Sequence, residues 1–199
     1  MKYFHYAFVL FVCNVLLAPF GHAQTYPNKP VTIIVPLAPG GISDLTARPL
    51  AAALSQVTGQ SFIVENKPGA GGAMGAAFAA NQKPDGYKLL VALTSMLVIP
   101  EAEKVAGKQP SYEVNQFIPI AKVSADPVVL LVKADSPWKT MEDFVKDAKN
   151  RPGILSYSSS GLFGAIHVPM EMAAQASGIK LIHVPYQSGG QSMAALLGG

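Results

Sequence analysis

A repeated unit of apolar strand, glycine-rich turn and small-residue helix constrains this 199-residue chain more than any other feature. The first unit runs from a β-branched strand over residues 31–37, through a pair of glycines, to a helix over 44–57. In the second, a strand over 61–65 leads through PGAGGAMG into an alanine-rich helix that ends at Ala80. Strands that are apolar on both faces and alternate with helices are typical of parallel sheets covered on both sides. The sequence therefore predicts an α/β fold with parallel-rich sheets.

A change of pattern near Ile120 indicates a domain boundary. Residues 100–119 have no clear period, and their proline, glycine and charged residues are typical of a connecting loop. A third strand is expected before this loop, over 87–95, and a fourth after it, over 127–132. We therefore predict two α/β domains, which comprise residues 24–120 and 121–199.

The second predicted domain has its own helix and turn signals. Thr140, followed three residues later by Asp143, resembles a capping box for a helix over 141–148. Two strand-turn-helix units follow, one in ILSYSSSGLFGAIH with a helix through Ala176 and one in KLIHVPYQSGGQSMAALL. Each unit places its glycines at the carboxyl end of a strand, where helix N-termini present unpaired N–H groups and partial positive charge. These ends are expected to face a small anion such as a carboxylate.

The N-terminus has the features of an export signal. Lys2 precedes an apolar run over 7–20, and Gly21-His22-Ala23 has small residues at the positions that a signal peptidase reads. A membrane anchor is the alternative, but the run is short for a bilayer span. Cleavage after Ala23 would remove Cys13, the chain's one cysteine, and leave a periplasmic protein without a disulfide. Loss of Lys2 reduces the 15 basic side chains by one, against 12 acidic ones, a balance too mild to indicate nucleic acid as a partner.

A nucleotide-dependent enzyme is one alternative that the glycines raise. Gly69, Gly71 and Gly75 follow a strand, much as in a dinucleotide-binding fingerprint. That fingerprint calls for an acidic residue at the end of the next strand, where this chain has Thr94 and Ser95. No glycine cluster is followed by Gly-Lys-Ser/Thr, the signature of a phosphate-binding loop. The signal for a nucleotide is therefore weak.

An α/β hydrolase is the other alternative, with Ser158, Ser159 or Ser160 as nucleophile and His167 as base. The Gly-x-Ser-x-Gly elbow is absent, and no acidic residue is evidently placed to orient the histidine. His167 and Glu171 also have the spacing of two metal ligands on a helix, but a third ligand is not evident, and we expect a hydrogen bond between them instead. The sequence favours binding, with no catalytic residue, metal or cofactor.

Five segments together carry a family resemblance: YPNKPVTIIVPLAPGGISDLTAR, VENKPGAGGAMGA, PDGYKLL, PGILSYSSSG with His167 after it, and HVPYQSGGQSMAALLGG. The chain resembles the periplasmic substrate-binding receptors of tripartite tricarboxylate transporters, also called Bug receptors. The resemblance implies a two-domain periplasmic-binding-protein-like fold, a Venus flytrap that closes on a small organic anion. It also implies delivery of that anion to the membrane permease subunits of a tripartite transporter.

The resemblance implies that the loop from Pro39 to Asp44 and the serine loop before His167 hold the carboxylate. Backbone N–H groups and hydroxyls are expected to bind it, whereas Arg48 is expected to be a surface or packing residue. The tyrosine hydroxyl after HVP is a further candidate. The predicted ligand-binding residues are Pro39, Gly40, Gly41, Ile42, Ser43, Asp44, Thr94, Ser95, Ser159, Ser160, Gly161, His167 and Tyr186.

Three departures from the family pattern accompany these expectations. Pro49 is expected to interrupt the first helix, at a cost of up to about 3 kcal/mol. Gln187-Ser188 stands where the family usually has Lys-Gly, so the identity of the acid stays open. Receptors of this type are longer by about a third of their length after the position of Gly199. We therefore expect an incomplete second domain, marginal folding and reduced ligand affinity.

Overall fold

The computed structural model describes residues 25–199, so the predicted export signal over 1–23 lies outside the described residues. The strands are Val31–Val35 (β1), Phe62–Asn66 (β2), Lys88–Leu90 (β3), Ser156–Ser159 (β4) and Ile182–Pro185 (β5). The helices are Ile42–Thr58 (α1), Ala73–Ala80 (α2), Ser95–Val105 (α3), Met141–Asn150 (α4), His167–Ser177 (α5) and Gly189–Gly198 (α6). Within 25–199, no helix is both long and apolar enough to cross a bilayer.

The first sheet is parallel and has the strand order β2-β1-β3. Its central strand β1 is buried on both faces, and Ile33 lies opposite Val64 on one side and Leu89 on the other. Ala47 and Ala51 of α1 pack against this sheet with almost no exposed surface. The apolar run that predicted a strand covered on both sides is therefore confirmed, although β1 ends at Val35 rather than at residue 37.

Helix α1 continues through Pro49, so the predicted interruption is wrong. The helix begins at Ile42, two residues before the predicted start, and ends at Thr58, followed by the C-cap Gly59 with a left-handed backbone φ of 70°. Pro49 is exposed, so the carbonyl left without its usual N–H donor can be hydrated. Loss of one helical hydrogen bond on the solvent-exposed face does not terminate a helix whose opposite face is packed against the sheet.

The stretch after β3 departs most from the prediction. The strand expected over 87–95 is only three residues long, and α3 begins at Ser95, the last residue of that expected strand, and continues into the loop expected over 100–119. Pro100 lies inside this helix and lacks the N–H that would bond the carbonyl of Met96. The Tyr112 hydroxyl donates to that carbonyl instead, at 2.9 Å, and burial raises the pKa of Tyr112 to about 12. A donor twelve residues away in sequence from the proline thus preserves the helix.

The second sheet is a parallel pair, β4 and β5, with Tyr157 opposite His183. Helix α4 begins with the predicted capping box, in which the Asp143 N–H donates to Thr140 Oγ1 and the Asp143 carboxylate accepts the Thr140 N–H. Phe144 of α4 packs with Ala174 of α5 in a separate core cluster. The proposed boundary near Ile120 falls in an irregular stretch between the two sheets, and the division into two domains stays a prediction.

The fourth predicted strand, over 127–132, is wrong. This segment forms no sheet pairing and is exposed along its length. It lies beside a cavity of about 740 Å³ whose opposite walls include Tyr157, Met170 and Leu196. An apolar run becomes a strand only when a neighbouring strand supplies hydrogen-bond partners, and none lies beside this one among the described residues.

Replacement of Leu131 with lysine is expected to reduce self-association of the protein. Leu131 belongs to an exposed apolar row, and unpaired apolar segments of this kind promote contacts between copies. The free energy of unfolding should change by no more than about 0.5 kcal/mol, because the side chain is already half exposed. Light scattering against concentration measures the effect. Val105→Lys, at an isolated exposed position, is the control; equal behaviour of the two variants would contradict the prediction.

Candidate functional site

The loops at the carboxyl ends of the strands in the two sheets meet each other. After β1, the Ala38 N–H donates to the Gln187 carbonyl after β5, at 3.0 Å. The turn before α2 meets the loop after β4 in the same way, since Gly71 and Gly161 are in backbone contact. We call the four loops, residues 36–41, 69–72, 159–164 and 187–190, the glycine junction.

The glycines of the junction allow the backbones of neighbouring loops to come into direct contact. A Cβ added at Gly71 would lie 2.4 Å from the Leu162 carbonyl oxygen, and one added at Gly161 would lie 2.6 Å from the Gly71 Cα. A Cβ at Gly190 would lie 2.6 Å from the Gly40 carbonyl oxygen. These separations are shorter than any side chain tolerates, so the loops can approach this closely only through glycine.

Two helix N-termini converge at the junction. Helix α1 has Gly41 as its N-cap and no side-chain cap, while α6 starts at Gly189 after Ser188. A Cβ at Gly41 would lie only 3.3 Å from the Gly189 nitrogen, which places the two helix starts side by side. Both ends carry partial positive charge and unpaired N–H groups. Their convergence favours an anion at this place.

A buried hydroxyl without a hydrogen-bond partner lies in the first turn of α1. The Ser43 side chain is 1% exposed, and its Oγ bonds to no other group in residues 25–199. A buried hydroxyl that gives up water without a replacement costs about 1–3 kcal/mol. Ser160, in the serine loop, is also buried and makes no hydrogen bond to a described residue. Both serines were predicted from the sequence, and neither hydroxyl is bonded to a described residue.

Asp44 differs from its predicted role, because protein groups already occupy its carboxylate. Arg48 donates to both carboxylate oxygens, at 3.0 and 2.8 Å, and the Asn66 amide donates to one of them, at 3.0 Å. The Gly40 N–H donates to the other at 3.1 Å, so that N–H is not open to a ligand. Arg48 is exposed, as expected of a surface residue, and it is also the ion-pair partner that neutralises Asp44 beside the junction.

These contacts hold the pKa of Asp44 below its ordinary value, first through the hydrogen bonds from Arg48. Asp44 is 3% exposed, and its bonds connect α1, the loop after β1 and the end of β2. Asn66 was not predicted from the sequence, although its place at the carboxyl end of β2 was the available signal. The network sets the position of the loop that contains Gly40 and Gly41.

Replacement of Asp44 with alanine is expected to lower the free energy of unfolding by about 2 kcal/mol at neutral pH, because buried donors lose their acceptor. The pKa of Asp44 is lower in the folded than in the unfolded state, so the unfolded state takes up the proton first as the pH falls. The stabilisation is therefore complete above the ordinary value of 3.8 and is lost as the pH falls through the lowered pKa. Urea unfolding at neutral and acid pH measures both effects.

The exposed Asp126 provides the control, since Asp126→Ala should change stability little at either pH. A difference between wild type and Asp44→Ala that stays the same at about pH 2 would contradict the assigned role of the Asp44 charge.

The Ser159 hydroxyl is hydrogen-bonded to other residues, unlike that of Ser160. It is fully buried, its Oγ lies 2.7 Å from His183 Nε2, and it accepts the Gly161 N–H at 3.2 Å. The His167 Nδ1 accepts the N–H of Phe163, so the predicted bond between His167 and Glu171 is wrong. Glu171 instead accepts the Tyr157 hydroxyl at 2.5 Å. Ser159 and His167 therefore support the serine loop from within.

The other predicted site residues are distributed unevenly. Ser95 starts α3 near Pro36 and Gly72 of the junction, but Thr94 is exposed just outside it. Tyr186 contributes to the wall of the apolar cavity. Ile42 is half exposed at the start of α1. Within 25–199 there is no group of three or more His, Cys, Asp and Glu residues that could hold a metal ion.

Comparisons with known proteins show which family the sequence and the fold match. The family model for the tripartite tricarboxylate transporter family receptor matches residues 46–199. A UPF0065 protein from the gbd 5' region of Cupriavidus necator is 38% identical over 177 residues, which are 89% of this chain and 53% of that protein. The solved structure of the periplasmic binding protein BugD is 31% identical, with a TM-score of 0.69.

Two further solved structures contain ligands. MatC from Rhodopseudomonas palustris, with bound malate, is 26% identical with a TM-score of 0.75. Another R. palustris protein, with adipate, is 25% identical with a TM-score of 0.69. Each alignment covers 87% of this chain and 57–58% of the solved chain, as it does for BugD. The chain thus spans little more than half the length of the proteins it matches.

Proposed function

Because the chain belongs to the tripartite tricarboxylate transporter receptor family, we propose that it is a non-enzymatic periplasmic receptor for a small carboxylate-bearing metabolite. The proposal places the carboxylate at the glycine junction and includes export through the N-terminal signal over 1–23. It also includes delivery of the ligand to the permease subunits of a tripartite transporter. The malate and adipate in two solved relatives support a dicarboxylate as the substrate class.

The observation that carries the proposal is the unpartnered Ser43 hydroxyl at the start of α1. It lies two residues after Gly41, where the N-termini of α1 and α6 come together. Partial positive charge, free N–H groups and a hydroxyl that lacks an acceptor are together complementary to a carboxylate. Asp44 would repel such a ligand, but Arg48 neutralises it. No arginine clamp is required.

Hydrolysis is disfavoured by the environment of the serines. The Ser159 and His183 pair has the short separation of a nucleophile and its base, but Ser159 is completely buried and its hydroxyl is engaged by Gly161. His183 stacks on aromatic rings, with no carboxylate hydrogen-bonded to it in the described part of the chain. Burial of this pair fits a structural role.

Calorimetric titration of the purified protein with malate, adipate and a tricarboxylate tests the proposal. Binding of at least one acid is expected, with no binding of its uncharged diamide, because the site recognises the carboxylate charge. Binding of ATP or NAD, or turnover of an ester, without binding of any carboxylate would overturn the proposal in favour of an enzyme.

Ser43→Ala is expected to have opposite effects on stability and affinity. Removal of an unsatisfied buried hydroxyl should leave the free energy of unfolding unchanged or slightly higher. Loss of one hydrogen bond to a charged ligand should weaken carboxylate binding by at least about tenfold. Ser55→Ala is the matched control on the same helix, because the Ser55 hydroxyl serves the fold by bonding Ala51 and Phe62. That variant should lose stability and keep its affinity; the same pattern in Ser43→Ala would contradict the assignment.

A further inference from the structure

A stack of three rings lies behind the serine loop. Tyr157 of β4 stacks on His183 of β5, with ring centroids 5.0 Å apart. His167, the first residue of α5, lies against the same imidazole with its centroid 4.1 Å away. The Tyr157 hydroxyl extends to Glu171 on the next turn of α5. The stack thus joins both strands of the second sheet to the helix that follows the serine loop.

His183 is connected to the serine loop through one atom. Its Nε2 lies 2.7 Å from Ser159 Oγ, and the same oxygen accepts the Gly161 N–H. The Ser159 carbonyl accepts the Tyr186 N–H at 2.9 Å, so Ser159 is fixed through both its side chain and its backbone. Gly161 in turn lies in backbone contact with Gly71 across the junction. A displacement of Ser159 would therefore move the loop that contains Ser160.

We propose that His183 is a positioning residue that acts through Ser159 to hold the serine loop in its ligand-binding position, and that it does so as a neutral imidazole. The inference rests on the proposed function, since the serine loop is one of the two loops that would hold the carboxylate. Two imidazoles 4.1 Å apart cannot both carry a charge without strong repulsion. Because both rings are at least partly buried, a charge on either one alone is also disfavoured in this arrangement, so protonation favours a rearranged stack and a displaced loop.

The surroundings of His183 set the direction of the pH effect. Burial lowers the pKa of both histidines, and for His183 the neighbouring His167 lowers it further. Glu171 acts in the opposite direction on both, and the Tyr157 hydroxyl, whose pKa burial and Glu171 raise, stays neutral. A state in which the stack has opened therefore binds protons first, as the pH falls below the ordinary histidine pKa of 6.5. The ordered loop is complete above that pH and is lost as the pH falls through the lowered pKa.

Carboxylate affinity against pH, with malate or whichever acid binds best, tests the inference in five proteins. His183→Leu removes the bond to Ser159, whereas His183→Gln places an amide near the position of Nε2 and provides the conservative rescue. Wild type is expected to bind about tenfold more weakly at about pH 5 than at about pH 7.5. This change is measured relative to the change in His183→Gln over the same pH range, because protonation of the ligand affects both proteins equally. His183→Leu should show the weak binding at every pH.

The other two proteins are Ser159→Ala and the double variant with His183→Leu. If His183 acts through Ser159, the double variant should lose no more affinity than either single variant. Additive losses would show that the two residues act separately and would overturn the inference. Stronger binding by wild type at acid pH would also overturn it, because a charged imidazole would then be assisting the anion.

Amide hydrogen exchange without ligand distinguishes failure of this inference from failure of the proposed function. The Gly161 and Tyr186 N–H groups should exchange at least about tenfold faster in His183→Leu than in wild type, and close to wild type in His183→Gln. Wild type that binds no carboxylate would overturn the proposed function, while the exchange rates would still decide whether His183 orders the loop. Unchanged exchange in His183→Leu would overturn the positioning role.

Discussion

Replacement of Gly41 with valine is expected to abolish carboxylate binding while the chain still folds. Gly41 has an extended backbone, with φ −91° and ψ 172°, which any residue adopts, so backbone strain is not the cause. Its Cβ would meet the Gly189 nitrogen and the Ser188 Cβ, each at 3.3 Å, which is already a tight contact, and the two methyl groups of valine add bulk to it. The N-termini of α1 and α6 must then separate, and the N–H groups no longer converge on one anion.

Calorimetric titration measures the loss, and urea unfolding checks the fold, for which overpacking costs about 1–3 kcal/mol. Gly189→Ala is the matched control on the other side of the same contact, because its Cβ would meet nothing within 4 Å. That variant should bind as wild type does. Wild-type affinity in Gly41→Val would remove the loop after β1 from the site.

The strands that the sequence predicted best are those with neighbours. The run of β1 was recognised because its continuous apolar residues are typical of a strand buried on both faces, and β2, which is only partly buried, pairs beside it along its whole length. The equally apolar run over 127–132 failed because pairing depends on a partner strand that the run does not encode. Helix α3 was missed because Pro100 alone predicts a break, while the compensating hydroxyl of Tyr112 lies outside any local window.

The place of the candidate site was more predictable than the roles of its residues. Parallel strands bring their carboxyl ends to one edge of a sheet, so the glycine loops of each sheet were expected on one side, whereas their meeting across the two sheets depends on tertiary contacts. Which polar groups remain free depends on partners that are distant in sequence. Asp44 is hydrogen-bonded to Asn66, 22 residues further along the chain, and Ser159 to His183, 24 residues further along. Residue type gave the same prediction for Ser43, Ser159 and Ser160, and only the tertiary contacts separate them.

Replacement of Gly161 with alanine is expected to produce the largest loss of stability among these variants. Gly161 has φ +133°, a conformation that residues with a side chain rarely adopt, and this strain costs about 1–3 kcal/mol. The added Cβ would also lie 2.6 Å from the Gly71 Cα and 3.1 Å from the Gly71 nitrogen, atoms of a backbone that cannot rotate away. The two effects together should lower the free energy of unfolding by at least about 3 kcal/mol.

Urea unfolding measures this loss, and two glycine variants divide it into its causes. Gly178→Ala, at the end of α5 with φ +65° and nothing within 4 Å of its Cβ, measures backbone strain without a contact and should cost about 1 kcal/mol. Gly71→Ala approaches the same contact from the opposite loop, since its Cβ would lie 2.4 Å from the Leu162 carbonyl oxygen. Its loss should match that of Gly161→Ala, and carboxylate affinity should fall in both. If Gly161→Ala costs no more than Gly178→Ala, the loops of the two sheets are not pressed together in solution, and the glycine junction is not a structural unit.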